Sequence, residues 1–290
     1  TLLALPIASA DGLATPFADA LFTAVSTICV TGLATVDMGT HWSPFGHVII
    51  YIGVNVGALG VLTLASILGL VISKRLGLRA KLIAAGDTNP LRIHGGPVNE
   101  GQTVRLGEVG QLLATVALST LVIEAGIAIL IYPSLLLAGV DPLVALWEAP
   151  YFAAMSFTNT GFAPNAEGLT PFLHNYYFLT VLMLGTFLGS IGFPVIFNLA
   201  QRGWRLRGLT LHSKLTIATS LGLFAATAVP VGAMEWRNPG TIGGLQGDDK
   251  ALATFFSAVM PRSGGFATFD TSAMHEGSWL LLDAVMFIGG

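Results

Sequence analysis

The chain has 290 residues, 53% of them hydrophobic and only 10% charged, with a formal net charge of −3 and a mean hydropathy of +0.74. A soluble domain carries about 25% charged residues, so a water-covered surface is hard to build from this chain and the composition argues for lipid as the main solvent. The one cysteine, Cys29, excludes an internal disulfide framework and a cysteine-based metal site.

In chain order, the first element is a short helix after Thr15-Pro16, with Thr15 expected as its cap and Pro16 as its first residue. Residues 48–73 follow without Asp, Glu, Lys or Arg, long enough to span a bilayer at about 20 residues. Residues 74–108 hold Lys74, Arg75, Arg79, Lys81, Arg92 and Arg105. A second span covers residues 109–132, apolar except for Glu124. Asp141-Pro142 repeats the helix-start signal, and residues 172–200 read as a third, continuous span that includes His174. Residues 201–214 hold Arg202, Arg205, Arg207 and Lys214. A fourth span covers residues 215–234, Asp248 and Asp249 mark another helix start, and a fifth span begins at Trp279 with Asp283 inside it. Ten of the thirteen basic residues thus fall in two short segments, which are expected on the cytoplasmic side. The chain starts without a signal peptide and stops inside an apolar stretch, so it is expected to be part of a longer protein.

Three segments on the opposite side share one pattern. Residues 20–34 read ALFTAVSTICVTGLA, residues 149–163 read APYFAAMSFTNTGFA, and residues 253–267 read ATFFSAVMPRSGGFA. They align without gaps and share Gly32, Gly161 and Gly265. Repetition at this scale marks a modular architecture. Each candidate helix is about 12–16 residues, too short to cross, so it is expected to enter, turn through a glycine-containing stretch and return. Such backbone is tolerated at membrane depth only when buried in protein or lining water.

That arrangement suits a cation. A helix C-terminus carries roughly half a negative charge, and rings of backbone carbonyls can replace the hydration shell of potassium. Val30, Thr31, Gly32 and Leu33, then Asn159, Thr160, Gly161 and Phe162, then Ser263, Gly264, Gly265 and Phe266 are the candidate ion-binding residues. None is acidic, which favours a monovalent ion over calcium or magnesium. The plain alternative is a set of interfacial helices and turns left by duplication.

The stretches CVTGLATVD, TNTGF and MPRSGGF, with NPGT at residues 238–241 and the terminal MFIGG, resemble the Trk/Ktr/HKT superfamily of potassium transporters, and within it the bacterial Ktr branch. The resemblance covers nearly the whole chain. It implies an all-α polytopic membrane protein in which four M1–pore loop–M2 repeats surround one pore, with Gly32, Gly161 and Gly265 as filter glycines. Plant relatives that prefer sodium have Ser at the first of these positions, so potassium is the implied ion, with sodium coupling left open. The third copy reads Arg262-Ser263-Gly264-Gly265-Phe266 where the family's usual run is Arg-Thr-Ala-Gly-Phe.

On that reading residues 1–290 form one ion-transport domain. Residues 1–73, 109–200 and 213–290 are its three repeats, and residues 74–108 and 201–214 are the cytoplasmic loops. A first M1 helix would precede Thr1, a fourth repeat would follow Gly290, and Gly289 and Gly290 would open a gating loop. The resemblance further implies a homodimer and a cytoplasmic ring of nucleotide-binding RCK subunits docked on the basic loops. No nucleotide motif lies in the chain itself. No covalent cofactor and no nucleic-acid partner are expected; membrane lipid is.

Several residues keep two readings. Glu124 either lines a vestibule or is protonated or bonded to a neighbouring helix. Asp283 shapes an external entrance or a helix contact. Gly57, Gly60, Gly185, Gly189 and Gly192 are expected to let helices approach closely, a hinge being the lesser reading. Pro194 is expected to kink its helix. Arg262 braces the third loop or tunes the pore mouth, and Cys29 is a small packed side chain. The histidines at 41, 47, 94, 174, 212 and 275 show no metal-ligand spacing. The rival functions are a sodium-coupled secondary transporter of another solute and an intramembrane enzyme built on Glu124, Asp283 and His174. No nucleophile–base pattern supports the latter, so the chain is not read as an enzyme.

Overall fold

The computed structural model describes residues 1–75, 106–166, 168–202, 208–262 and 264–288. Most of the two basic segments (76–105 and 203–207) lies outside the described residues, as do Ser263, Gly289 and Gly290. Regular structure among the described residues is helical apart from one isolated bridge between Ser9 and Trp42.

Long helices and short ones are interspersed along the chain. They are α1 (Phe17–Ile28), α2 (Pro44–Arg75), α3 (Leu106–Leu137), α4 (Pro142–Phe157), α5 (Tyr176–Ser190), α6 (Phe193–Arg202), α7 (Leu211–Glu235), α8 (Asp248–Val259) and α9 (Glu276–Ile288). At 1.5 Å per residue the 32 residues of α2 or α3 reach about 48 Å, more than a hydrocarbon core of about 30 Å. Ala114–Leu137 and Leu211–Glu235 are long and apolar enough to cross a membrane. By contrast α1, α4 and α8, with 12, 16 and 12 residues, are the short helices expected from the repeated segments.

Asp141 caps α4 as expected: its carboxylate accepts from the amides of Leu143 at 2.9 Å and Val144 at 3.4 Å, with Pro142 as first residue. Thr15 does not cap α1. Its hydroxyl pairs with His41 Nε2 at 3.0 Å, and Pro16 occupies the cap position without a side-chain bond. Before α8, Gly247 takes the cap position at φ +52°, and Asp248 and Asp249 complement the dipole from the first turn.

The span expected over residues 172–200 is not continuous. A 3-10 turn occupies Thr170–Phe172, and α5 and α6 are bent by 104° at a break between Ser190 and Phe193. Gly192 sits in the break at φ +79°, a conformation that favours glycine, and Pro194 lacks the amide hydrogen the next turn would need. The kink expected from Pro194 therefore falls at Gly192.

A core stripe on α3, with Val116, Thr120, Glu124, Ile127, Ile131 and Leu135 all buried, packs against α4 and α5. Phe152, Phe172 and Phe178 close the middle of this core, with ring centroids 4.4 Å apart for Phe172–Phe178 and 5.3 Å for Phe152–Phe178. Outward-facing residues such as Ile129, Leu137 and Phe287 are large, apolar and exposed, as lipid-facing positions are.

Candidate functional site

Each short helix ends in a turn whose hydrogen bonds are set by its own last turn. After α1 the amide of Thr31 donates to Ser26 O at 2.8 Å, and the amide of Val30 to Thr27 O at 3.3 Å. After α4 the equivalent bonds run from Thr160 to Met155 O at 3.0 Å and from Asn159 to Ser156 O at 3.2 Å. Val30 and Asn159 both take φ near +60°, at +56° and +62°, and the glycines two residues on take +74° at Gly32 and +77° at Gly161. Gly265 matches them at +68°. A side chain at φ above zero is uncommon outside glycine and asparagine, so Val30 holds a strained conformation that the helix end imposes. In the third loop the amide of Gly264 donates to Met260 O at 2.7 Å, one residue out of register with the other two.

The three loops meet backbone to backbone. A Cβ placed on Gly32 would overlap the carbonyl oxygen of Thr160. One on Gly161 would overlap Gly264 O and reach the carbonyl carbon of Gly265 at 2.6 Å. One on Gly265 would stand 2.9 Å from Thr160 O. The second loop therefore lies between the first and the third. Thr160 and Phe162 are buried there, while Thr31 and Leu33 in the first loop and Gly265 in the third are exposed. Gly264 and Phe266 are buried, with the Phe266 ring 6.2 Å from that of Phe152.

Long helices bring glycines to the ends of the short ones. Gly53 and Gly57 of α2 face Thr27 and Ile28, and a Cβ on Gly57 would overlap Ile28 O. Gly185 and Gly189 of α5 face Ser156 and Phe157, and a Cβ on Gly189 would overlap Phe157 O. Close approach is thus the role of Gly57, Gly185 and Gly189. Gly60 shows no such neighbour among the described residues, and Gly192 forms the helix break instead. Oriented to satisfy its neighbours, the Asn159 amide donates to Thr186 O at 3.0 Å and Ser156 O at 3.1 Å and accepts from Ser190 N at 3.2 Å, which ties the second loop to α5.

Other sequence candidates are dispersed. Glu124 is buried, with neither carboxylate oxygen hydrogen-bonded to a described residue. Asp283 is exposed on α9, and Cys29 is exposed rather than packed. His174 Nδ1 pairs with Asp249 Oδ2 at 2.8 Å, and Tyr176 Oη donates to Asp249 Oδ1 at 2.6 Å, joining the start of α5 to the first turn of α8. The Tyr176 hydrogen bond, then the His174 contact, hold the Asp249 carboxyl below the usual aspartate range. No group of three or more His, Cys, Asp and Glu gathers among the described residues. Among the described residues, Glu124, Asp283 and His174 share no hydrogen bond or ion pair.

Sequence reasoning missed Glu235. It is fully buried at the end of α7. Oε1 accepts from His275 N at 2.9 Å and Ser278 Oγ at 2.5 Å; Oε2 accepts from Asn238 Nδ2 and Thr241 Oγ1, both at 2.7 Å. The signal was an acid closing a span just before the Asn238-Pro239-Gly240-Thr241 turn.

The fold is that of an all-α, polytopic membrane protein whose short helices deliver glycine-bearing loops to a common meeting point. Residues 3–290 match the TrkH family model, described as cation transport protein, and the chain belongs to that family, a plasma-membrane transport family rather than one of enzymes. It is 34% identical over 291 residues to Ktr system potassium uptake protein B of Bacillus subtilis, covering 99% of this chain and 61% of that protein. It is 31% identical over 293 residues to Ktr system potassium uptake protein B of Vibrio alginolyticus, covering 99% and 60%. It is 28% identical over 291 residues to the potassium/sodium uptake protein NtpJ of Enterococcus hirae, covering 100% and 61%. The chain spans about three fifths of the length of these curated relatives.

Proposed function

We propose that this chain is the larger part of a potassium-translocating membrane subunit, with the ion selected by the backbone of the three converging loops. The observation that carries this reading is the meeting of Gly32, Thr160-Gly161 and Gly264-Gly265 with no room for a Cβ between them. Backbones packed so closely leave carbonyl oxygens as the groups nearest an ion, and α1, α4 and α8 each end at the loops, where the dipole favours a cation. The first and third loops keep an exposed side, where a fourth filter segment from the rest of the protein would complete the ring.

On this reading residues 1–73, 109–200 and 213–290 act as three M1–pore loop–M2 repeats. Gly289 and Gly290 begin the gate, and residues 74–108 and 201–214 dock a cytoplasmic regulatory ring on a homodimer. Relatives named for potassium uptake, and one named for potassium and sodium, support the ion and leave sodium coupling as a variable to measure. The α5–α6 break would also suit a broken-helix carrier of another solute. That carrier would show saturable uptake of a larger solute, unaffected by the loop glycines.

The test is potassium uptake by the full-length protein in a potassium-uptake-deficient host, comparing wild type with Gly32→Ser. Loss of potassium-over-sodium preference by about tenfold or more is expected. An unchanged preference would overturn the filter assignment.

A further inference from the structure

Between α7 and α8, at the C-terminal end of α7, lies an open groove of about 670 Å3, within the size range of ligand sites. Its lining is mostly apolar: small residues of α7 (Ala228, Gly232 and Ala233) face Ala251, Thr254 and Phe255 of α8. Gly232 lets α8 come close, since a Cβ there would stand 3.0 Å from Thr254 Cγ2. Trp236 and Arg237 line it at its mouth, where α7 ends, and both are exposed. From Trp236 down to Ala228 the groove follows eight residues of a membrane-length helix, about 12 Å at 1.5 Å per residue.

The mouth is cationic. Lys250 Nζ stands 5.5 Å over the Trp236 ring and donates to Trp236 O at 3.4 Å. Two of the three acids nearby are already engaged. Glu235 is held by four hydrogen bonds, Asp249 accepts from Tyr176 and His174, and Asp248 lies in the exposed first turn of α8. Arg237 has no acidic partner within ion-pair distance among the described residues. Only three basic residues lie outside the two basic segments, and Arg237 and Lys250 are two of them. A tryptophan and two cations at the end of a span, above an apolar furrow, match a phosphate headgroup at the interface with its chain along the helix. A guanidinium free of carboxylate can take phosphate oxygens in pairs.

We propose that this groove binds an anionic phospholipid, with its phosphate at Arg237 and Lys250 and one acyl chain laid along Ala228, Gly232 and Ala233. The apolar floor separates this occupant from a free anion, which would use the mouth alone.

The experiment is native mass spectrometry of the purified full-length protein in detergent. It is titrated with phosphatidylglycerol, phosphatidylcholine or inorganic phosphate, with uptake assayed in parallel. Wild type is expected to retain phosphatidylglycerol about tenfold more tightly than phosphatidylcholine and to retain no phosphate. Arg237→Gln/Lys250→Gln should lose that preference, and Ala233→Leu, which fills the floor, should weaken both lipids. Lys214→Gln, a charge removal at the other end of α7, should bind as wild type does and controls for net charge. Equal retention of the two lipids by wild type would overturn the proposal. So would a double variant that still prefers phosphatidylglycerol, or a groove already closed by another part of the protein and indifferent to every lipid. Size-exclusion profiles of the variants separate loss of binding from loss of fold.

Discussion

Glu235 offers the sharpest perturbation. Its buried carboxylate gathers donors from two places: Asn238 and Thr241 of the turn that follows α7, and His275 and Ser278 at the start of α9. All four bonds end on one charged group, and bonds to charge are worth about 1.5–3 kcal/mol each in the most favourable cases. They are not additive, because water can reach donors near the end of a span once the side chain is gone. Glu235→Gln keeps one oxygen but presents an NH2 to two donors, so a loss of about 2–4 kcal/mol is expected. Glu235→Ala strands all four donors and should cost somewhat more, roughly 3–5 kcal/mol. At about 2–4 °C per kcal/mol for a chain of this size, the melting temperature of the purified full-length protein should fall by on the order of 5–10 °C in Glu235→Gln. Thr241→Val removes one donor with its acceptor intact and should cost about 1 kcal/mol. A Glu235→Ala protein melting within about 1 °C of wild type would refute the clasp.

Gly161→Ala should abolish potassium uptake, by about 100-fold or more, because its Cβ meets Gly264 and Gly265 and its φ is +77°. Gly60→Ala on α2 meets no neighbour among the described residues, should leave uptake within about twofold, and should gain roughly 0.5–1 kcal/mol of helix stability. Uptake assays in the deficient host check both, and equal damage would show that the loops do not meet as described. The depressed Asp249 pKa, from the Tyr176 hydrogen bond and the His174 contact, means that the folded state binds that proton less readily than the unfolded one. Its stabilisation is present above the ordinary aspartate value near 4 and is lost as pH falls through the lower folded value. Thermal melts between about pH 5 and pH 3 should therefore drop more steeply in wild type than in Asp249→Asn; parallel curves would count against the contact.

Much of this protein is written locally. Composition placed it in lipid, and the apolar runs and start signals placed the helices, because a helix closes its own hydrogen bonds and needs only length, hydropathy and a cap such as Asp141 to be read. The three repeated segments likewise carried their short helices and the positions of Gly32, Gly161 and Gly265. What tertiary structure decided is which neighbour each local feature meets. Thr15 looked like a cap, but His41, brought back by the turn before α2, takes its hydroxyl. Five span glycines looked alike in sequence. Three of them face the end of a short helix, Gly60 meets no neighbour among the described residues, and Gly192 breaks a span that hydropathy alone reads as continuous. The clasp at Glu235 needs donors 3–43 residues away, and the convergence of the three loops needs every span in place. Spacing along a chain determines periodicity and length; only packing determines which carbonyl oxygen stands where a Cβ would have to go.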